Sequence, residues 1–373
     1  MRFARIDQSV VARWWWTVDR WSLGALMTLV AIGAVLSLAA SPPVATRIGY
    51  DSLHFVKRHL LAAPVSLAIM FAVSLLPLRK IRLAAFVLFG IALLLVVATL
   101  VIGVEVKGAR RWVSIAGLPV QPSELIKPTF AIVAAWLFAE QRRNPAYRYG
   151  NAVSAGLFLL ILAILIKQPD FGMAAVVLAV WFAQFFMAGL RFYWLAIGIA
   201  GAGGMLFAAY NFLPHVTDRI NRFLDPNAGD HYQVKRSLEA FVSGGLWGKG
   251  PGEGTVKEVL PDAHADFVFA VAGEEFGLVA CVLIIGLFAF IVLRGFSRLL
   301  QERDQFVLLA ATGLLIQFGL QAIINMASAL RLIPTKGMTL PFLSYGISSM
   351  LALALGMGML LTLTRRRLGG DEP

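Results

Sequence analysis

Three short stretches hold the side chains best suited to chemistry, and each borders an apolar run. The first is Gln121-Pro122-Ser123-Glu124-Leu125-Ile126-Lys127-Pro128. Glu124 and Lys127 are three apart and share one face of a helix. Two readings stay open: an ion pair that closes a helix end, or a cation held in a cavity for an anionic substrate. Ser123 is expected as the N-cap, and Glu124 suits the first turn. The second stretch is Pro261-Asp262-Ala263-His264-Ala265-Asp266-Phe267-Val268-Phe269-Ala270. Asp262 is expected to cap the following helix, with Asp266 one turn further in. A carboxylate there, followed at once by apolar residues, is partly desolvated, which raises its pKa and suits a general base. On a helical wheel Glu274 lies about 80° from Asp266 and Glu275 about 180° away. Glu274, and not Glu275, is thus placed to border the same cavity. His264 reads as an interfacial or capping histidine. The third stretch runs from Arg331 to Gly346, and its two prolines and two glycines exclude a regular helix. Irregular backbone at membrane depth is tolerated where it lines a cavity. Arg331 and Lys336 either meet a phosphate there or extend to the membrane interface.

The elements that position these residues must be membrane helices. Of 373 residues, 59% are hydrophobic and only 14% charged, against about 25% charged in soluble domains. That excludes a soluble globular protein and a disordered one. The net charge is +12, but the basic residues sit between apolar runs, where membrane topology places them. No basic stripe interleaved with aromatics argues for nucleic acid. The single cysteine, Cys281, excludes an internal disulfide and a CxxC metal site. There is no Walker motif, GxSxG elbow or HExxH helix. A reaction here draws its driving force from its substrate or from a gradient.

The expected fold is all-α and polytopic, with ten spans near 21–40, 60–78, 82–104, 124–140, 151–166, 171–188, 192–212, 265–293, 305–330 and 344–363. Residues 1–20 form an N-terminal segment, 21–363 the membrane domain and 364–373 a tail. A long outer loop, 213–263, separates spans seven and eight. Its glycines (Gly244, Gly245, Gly248, Gly250, Gly252 and Gly254) read as an anion nest or a flexible turn. The segments 105–123 and Lys167–Asp170 are the other unusual outer connections. Gly198, Gly201, Gly203 and Gly204 are expected to allow close helix packing. The first apolar run is too long for a cleaved signal, and Trp14, Trp15, Trp16 and Trp21 before it suit an interfacial belt. An even span count puts both termini on one side. With that side cytoplasmic, 17 of the 33 Lys and Arg residues are inside. The totals tie, but the short basic turns Leu78–Arg82 and Gln141–Tyr149 and the Arg365–Arg367 tail decide for both termini inside.

At these residues the sequence resembles the SEDS family (shape, elongation, division and sporulation) of bacterial membrane proteins, over nearly its whole length. The resemblance rests on Gly108-Ala109-Arg110-Arg111-Trp112, Gln121-Pro122-Ser123-Glu124, Gln168-Pro169-Asp170-Phe171-Gly172 and His264-Ala265-Asp266-Phe267-Val268-Phe269-Ala270. Gly273-Glu274-Glu275-Phe276-Gly277 and Pro334-Thr335-Lys336-Gly337-Met338-Thr339-Leu340-Pro341-Phe342 complete the set, and the Pro-Thr-Lys-Gly form resembles the septal branch more than the elongation branch. One departure stands out. The family usually reads Ser-Tyr-Gly-Gly-Ser-Ser where this chain has Ser344-Tyr345-Gly346-Ile347-Ser348-Ser349, and isoleucine does not take a positive φ cheaply.

The resemblance implies a peptidoglycan glycosyltransferase in the bacterial inner membrane, at the division septum. It implies lipid II as substrate and undecaprenyl pyrophosphate as leaving group, with no nucleotide. The family's catalytic aspartate matches Asp266, as general base on the acceptor hydroxyl. Its cavity positions match Arg111, Trp112, Gln121, Ser123, Glu124 and Lys127, with Asp170, Lys336, Ser344 and Tyr345 as weaker substrate-binding positions. By charge, Arg111 and Lys127 are assigned to the pyrophosphate. Glu124 then positions Lys127 or, with Asp266, helps hold a divalent cation, magnesium or manganese. The implied partners are a class B penicillin-binding transpeptidase and other division-complex membrane proteins. Two alternatives use the same residues differently: a lipid II flippase, and a non-catalytic division scaffold. Against the first, the acids gather at the outer mouth rather than at the midplane where transporters bind.

Overall fold

The computed structural model describes residues 9–366, apart from 107–108, 116, 145, 190–191, 213–216, 218–220, 222–231 and 335–336. Helix α1 (Val10–Thr17) precedes α2 (Arg20–Arg47), α3 (His54–Ser74) and α4 (Leu78–Ile102). Three short strands follow, β1 (Val104–Val106), β2 (Ala109–Ile115) and β3 (Leu118–Val120), antiparallel and adjacent in that order. Then come α5 (Pro122–Arg143), α6 (Gly150–Lys167), α7 (Phe171–Met187) and α8 (Phe192–Phe212). The long loop contains α9 (Tyr232–Gly244) and α10 (Val256–Val259), and α11 (Val268–Leu299), α12 (Gln305–Ala329) and α13 (Ile347–Leu363) complete the chain.

A helix lies at each of the ten positions expected for a span. Six of them (α2, α3, α4, α6, α11 and α12) are long and apolar enough to cross a membrane by length and composition, and α7 and α13 are shorter apolar helices. The segment 105–123 is the exception to the all-helical expectation. Its Ala109–Ile115 run pairs on both sides and stands at the mouth of α5.

Helix α5 is the centre. Nearly all its side chains from Pro122 to Ala139 are buried, against α4, α6, α7, α12 and α13. The peripheral helices turn Leu61, Leu94, Leu159 and Leu283 outward. Such a surface suits lipid rather than water. The first and last described residues lie at one end of the bundle. Arg366 N–H donates to Thr17 O (3.0 Å), and Arg365 reaches Ser74 O (3.3 Å). Asp19 accepts two bonds from Arg294 (2.7 and 2.9 Å) and faces Arg298 at 3.0 Å. Burial raises the pKa of Asp19, but these guanidinium groups and Ser22 outweigh it and hold the carboxyl below its usual range. Of the expected tryptophan belt, Trp14 is buried and donates to Ser74 Oγ (2.9 Å), Arg20 covers Trp15 and Trp16, and Trp21 is exposed. The sheet, α9, α10 and the Arg331–Gly346 segment gather at the opposite end, where Arg47 bonds Leu260 O (3.0 Å) and Phe55 meets Tyr345.

The glycine-rich stretch is neither a nest nor a free turn. Helix α11 breaks at Gly277 (φ 77°, ψ −176°), which frees peptide groups on both sides of the break. The loop fills them. Lys249 and Gly250 N–H donate to Glu274 O and Glu275 O (both 3.0 Å), and Leu278 and Val279 N–H donate to Gly245 O (2.9 Å) and Leu246 O (3.2 Å). Gly248, at φ 82°, passes so close that an added Cβ would stand 2.2 Å from Glu275 O. Of the glycines expected to pack closely in α8, only Gly198 does, against Phe182; Gly201, Gly203 and Gly204 face open space. Gly248→Ala meets both a left-handed backbone and a backbone clash, and is expected to cost about 1–3 kcal/mol or more. Gly245→Ala, which meets no atom within 4 Å, carries only the left-handed cost of about 1–2 kcal/mol. Thermal unfolding in detergent should rank the two in that order; equal melting temperatures would refute the clasp.

Candidate active site

Asp266 does not lie on a helix. Helix α11 starts at Val268 with Phe267 as N-cap, and Asp266 ends the turn before it. Asp262 is therefore not a helix cap. It takes φ 51°, and its carbonyl accepts N–H bonds from Ala265 (3.0 Å) and Asp266 (2.9 Å). Distant groups hold this turn in place: Arg47 on Leu260 O, Tyr345 N–H on His264 O (2.8 Å) and Asn325 Nδ2 on Asp266 O (3.0 Å). These non-local bonds override the local helix signal. Asp266 is half-buried, and its carboxylate stands beside Gly337, where an added Cβ would lie 3.4 Å from Oδ2.

The helical wheel that joined Asp266 to Glu274 fails with the helix. Glu274 turns into the long loop and caps α10, accepting from Thr255, Val256 and Lys257 N–H (2.7–2.9 Å). Glu275 forms a buried ion pair with Lys257. Both are structural supports of the clasp.

Helix α12 carries three buried amides at i, i+4 spacing: Gln317, Gln321 and Asn325. The wholly buried Asn325 donates to Asp266 O and to Met338 O (2.6 Å). Gln321 accepts from Lys127 Nζ (2.8 Å) and donates to Thr339 O (3.1 Å). Lys127 Nζ also faces Glu124 Oε2 at 2.8 Å, and Thr339 Oγ1 donates to Ser349 Oγ (2.7 Å). The turn bearing Asp266 and the Glu124–Lys127 pair are thus fixed to neighbouring turns of one helix face, about 6 Å apart along its axis. Gln321 and Asn325 escaped the sequence reading. Their signal was there, amides one turn apart inside an apolar run, but nothing local showed what they would meet.

At the start of α5, Pro122 takes the first helical position, as suits proline, and Gln121 is the N-cap. Ser123 is not the cap: it lies inside the helix, and its hydroxyl is buried without a hydrogen-bond partner. Gln121 N–H donates to Ser348 Oγ (3.1 Å), and Gln121 O accepts from Glu124 N–H (3.2 Å). Arg111 and Trp112 lie on β2, with Trp112 half-buried opposite Val104. Arg111 donates to Gln168 O (2.9 Å) and Pro169 O (2.5 Å), with Asp170 Oδ2 at 3.7 Å. Asp170 caps α7 through Met173 N–H (3.3 Å). Burial raises its pKa, against the charge of Arg111, and the charges of Glu124 and Lys127 also reach it. Ser344 Oγ accepts from Leu340 N–H (2.8 Å) and closes a turn, while the Tyr345 ring packs on Phe55 and His264. Ile347 is the first residue of α13, after an extended Gly346, so its position needs no positive φ. Lys336 lies outside the described residues. Among the described residues, no three His, Cys, Asp or Glu side chains gather to hold a metal.

Two predictions follow from these contacts. Glu124 and Lys127 form a buried pair, so losing one partner costs about 3–5 kcal/mol. Glu124→Gln and Lys127→Met should each lower the melting temperature more than the double variant does; additive losses would deny the pairing. His264, stacked on Phe55, is pushed by burial down to a pKa of about 4. Unfolded, it returns to about 6.5. As pH falls through that interval the unfolded chain takes up the proton first, so stability declines between about pH 6.5 and pH 4. His264→Phe should flatten that part of the profile of melting temperature against pH.

Comparison with known proteins agrees with this architecture. Residues 20–368 match the FtsW/RodA/SpoVE family profile, described as cell cycle protein. The chain is 44% identical to a Caulobacter vibrioides protein named probable peptidoglycan glycosyltransferase FtsW, a match covering 98% of this chain and 94% of that one. A solved structure described as "Structural coordination of polymerization and crosslinking by a peptidoglycan synthase complex" superposes with a TM-score of 0.76 at 29% identity, covering 93% of this chain and 97% of that one. The rod shape determining protein RodA of Thermus thermophilus gives 0.69 at 28% identity, over 94% and 97% of the two chains. Profile, relatives and fold all span nearly the whole molecule, and the chain belongs to the FtsW/RodA/SpoVE family of cell cycle proteins.

Proposed function

We propose that this chain is a septal peptidoglycan glycosyltransferase that polymerises lipid II at the outer face of the cytoplasmic membrane, with both termini inside. One observation carries the reading. The half-buried Asp266 is fixed through Asn325 beside Gly337, one turn of α12 from the buried Lys127–Glu124 pair. A base and a cation so placed suit a displacement at a carbon whose leaving group is a pyrophosphate. The names of the Caulobacter relative and of the peptidoglycan synthase complex support the same reading.

In this mechanism Asp266 takes the proton of the acceptor sugar's 4-hydroxyl. The oxygen attacks C1 of the donor sugar, and the bond from C1 to the pyrophosphate oxygen breaks. Undecaprenyl pyrophosphate leaves with the electron pair. Lys127 donates one hydrogen bond, to Gln321, beside its ion pair with Glu124, while Arg111 keeps further donors beyond its two carbonyl bonds. Their part toward the pyrophosphate is to hold and orient it. Gln121 and Trp112 are the further residues assigned to substrate, with the buried, unpartnered Ser123 hydroxyl beside them. A divalent cation, magnesium or manganese, fits as one carried in on the phosphates, since magnesium needs only one or two protein carboxylates. Asp266 would hold it through one carboxylate oxygen and keep the other for the proton, since Glu124 is committed to Lys127. When bound, it would neutralise charge on the leaving group. The partner expected to crosslink the product is a class B penicillin-binding transpeptidase, alongside other division-complex membrane proteins.

Labelled lipid II should yield glycan ladders with the full chain, its transpeptidase partner and a divalent cation. Asp266→Asn should lower the rate by about 10²–10⁴-fold at equal folded protein. Equal ladders from both proteins would remove Asp266 from the chemistry.

A further inference from the structure

The end of the bundle that carries the termini holds a second built cavity, far from Asp266. It is a cleft of about 800 Å³ between the start of α4, the end of α5 and the α11–α12 connection. Five arginines line it: Arg79, Arg82, Arg142, Arg143 and Arg303. Three carboxylates share it. Glu140 faces Arg143 (3.3 Å). Glu302 accepts Arg303 and Asp304 N–H (both 2.9 Å), and Asp304 caps α12 through Phe306 N–H (2.8 Å) and Val307 N–H (3.2 Å). Guanidinium groups therefore outnumber carboxylates. Cations collect at one face of membrane proteins in any case, but there they face water separately. Here they converge on one cavity with an aromatic wall, and Arg82 lies over the Trp136 ring at 5.9 Å.

The sequence of α4 sharpens the imbalance. Its first two turns carry Arg79, Lys80 and Arg82 with no acid, and its N-cap, Pro77, makes no side-chain cap bond. Positive charge at a helix N-terminus is the unfavourable arrangement, and an anion relieves it. The surface below the cleft is apolar: Leu83, Val87 and Leu94 stand exposed along α4.

We infer that this cleft binds the phosphate of an anionic phospholipid, with guanidinium groups on the phosphate oxygens and an acyl chain along the Leu83–Val87–Leu94 stripe. Arginine forks match phosphate geometry, and basic pockets between membrane helices take such headgroups. A free phosphate would use the same guanidinium groups and leave the stripe uncovered. The site is independent of the chemistry at Asp266.

The test uses the purified full chain in neutral detergent, with native mass spectrometry reading retained phosphatidylglycerol against phosphatidylcholine. Wild type should retain the anionic lipid preferentially. Each of Arg79→Gln, Arg82→Gln and Arg143→Gln should weaken that retention about five-fold. Lys57→Gln, at the opposite end, should leave it unchanged. Melting temperatures in phosphatidylcholine micelles establish that the variants fold. Equal retention of both lipids, or a preference that survives the combined variant, would overturn the proposal. Displacement of the lipid by millimolar inorganic phosphate alone would assign the cleft to a free anion and overturn it equally.

Discussion

Peptide groups that leave a helix inside an apolar bundle must find partners within the protein, because lipid offers none. That constraint organises the whole loop end. The turn carrying Asp266, the Gly337–Gly346 stretch and the glycine-rich loop all abandon regular structure at this end of the bundle. Several of their peptide groups are paired by side chains sent from other elements. Asn325 takes Asp266 O and Met338 O, Gln321 takes Thr339 O, Ser344 closes its own turn, and Glu274 caps α10. The site is held where the unpaired backbone is, by the side chains that pair it.

The same constraint explains what could be read in advance. Helix positions were legible because apolar runs of spanning length leave few other structures. The Gln121–Lys127 and Asp266 regions were legible because ionisable residues beside such runs need a reason to be there. Local starts and stops were not. Ser123 and Asp262 are good capping residues by type, yet α5 begins at Pro122 and α11 at Val268, because Ser348, Arg47, Tyr345 and Asn325 fix the preceding backbone from far along the chain. Glu274 pointed away from its expected cavity for the same reason. Gln321 and Asn325 stand out as amides in an apolar run, but such an amide carries no sign of its partner. Ile347 departs from the family pattern without strain, because it opens α13 after an extended Gly346 and takes no positive φ.

The two ends of the molecule use charge in opposite ways. Around Lys127 the charges are buried and matched one to one, with Glu124 and Gln321 completing the cation's surroundings. A matched, desolvated pair is rigid, and its field is felt only at short range. Around Arg82 the charges are open and unequal, joined to water on one side and to an apolar wall on the other. Unequal charge at an interface attracts counter-ions and is screened by salt. The first arrangement suits orientation of one substrate, the second a collective attraction to a charged surface.

A glycine-rich stretch usually marks where a chain tolerates being lengthened. The segment that fills the Gly277 break behaves otherwise. Gly245, Leu246, Lys249 and Gly250 are each paired to a defined peptide group of α11, so one added residue would shift every later pair by one place, as a slipped register does in a sheet. Length, as well as the glycine at position 248, is a property this loop cannot vary.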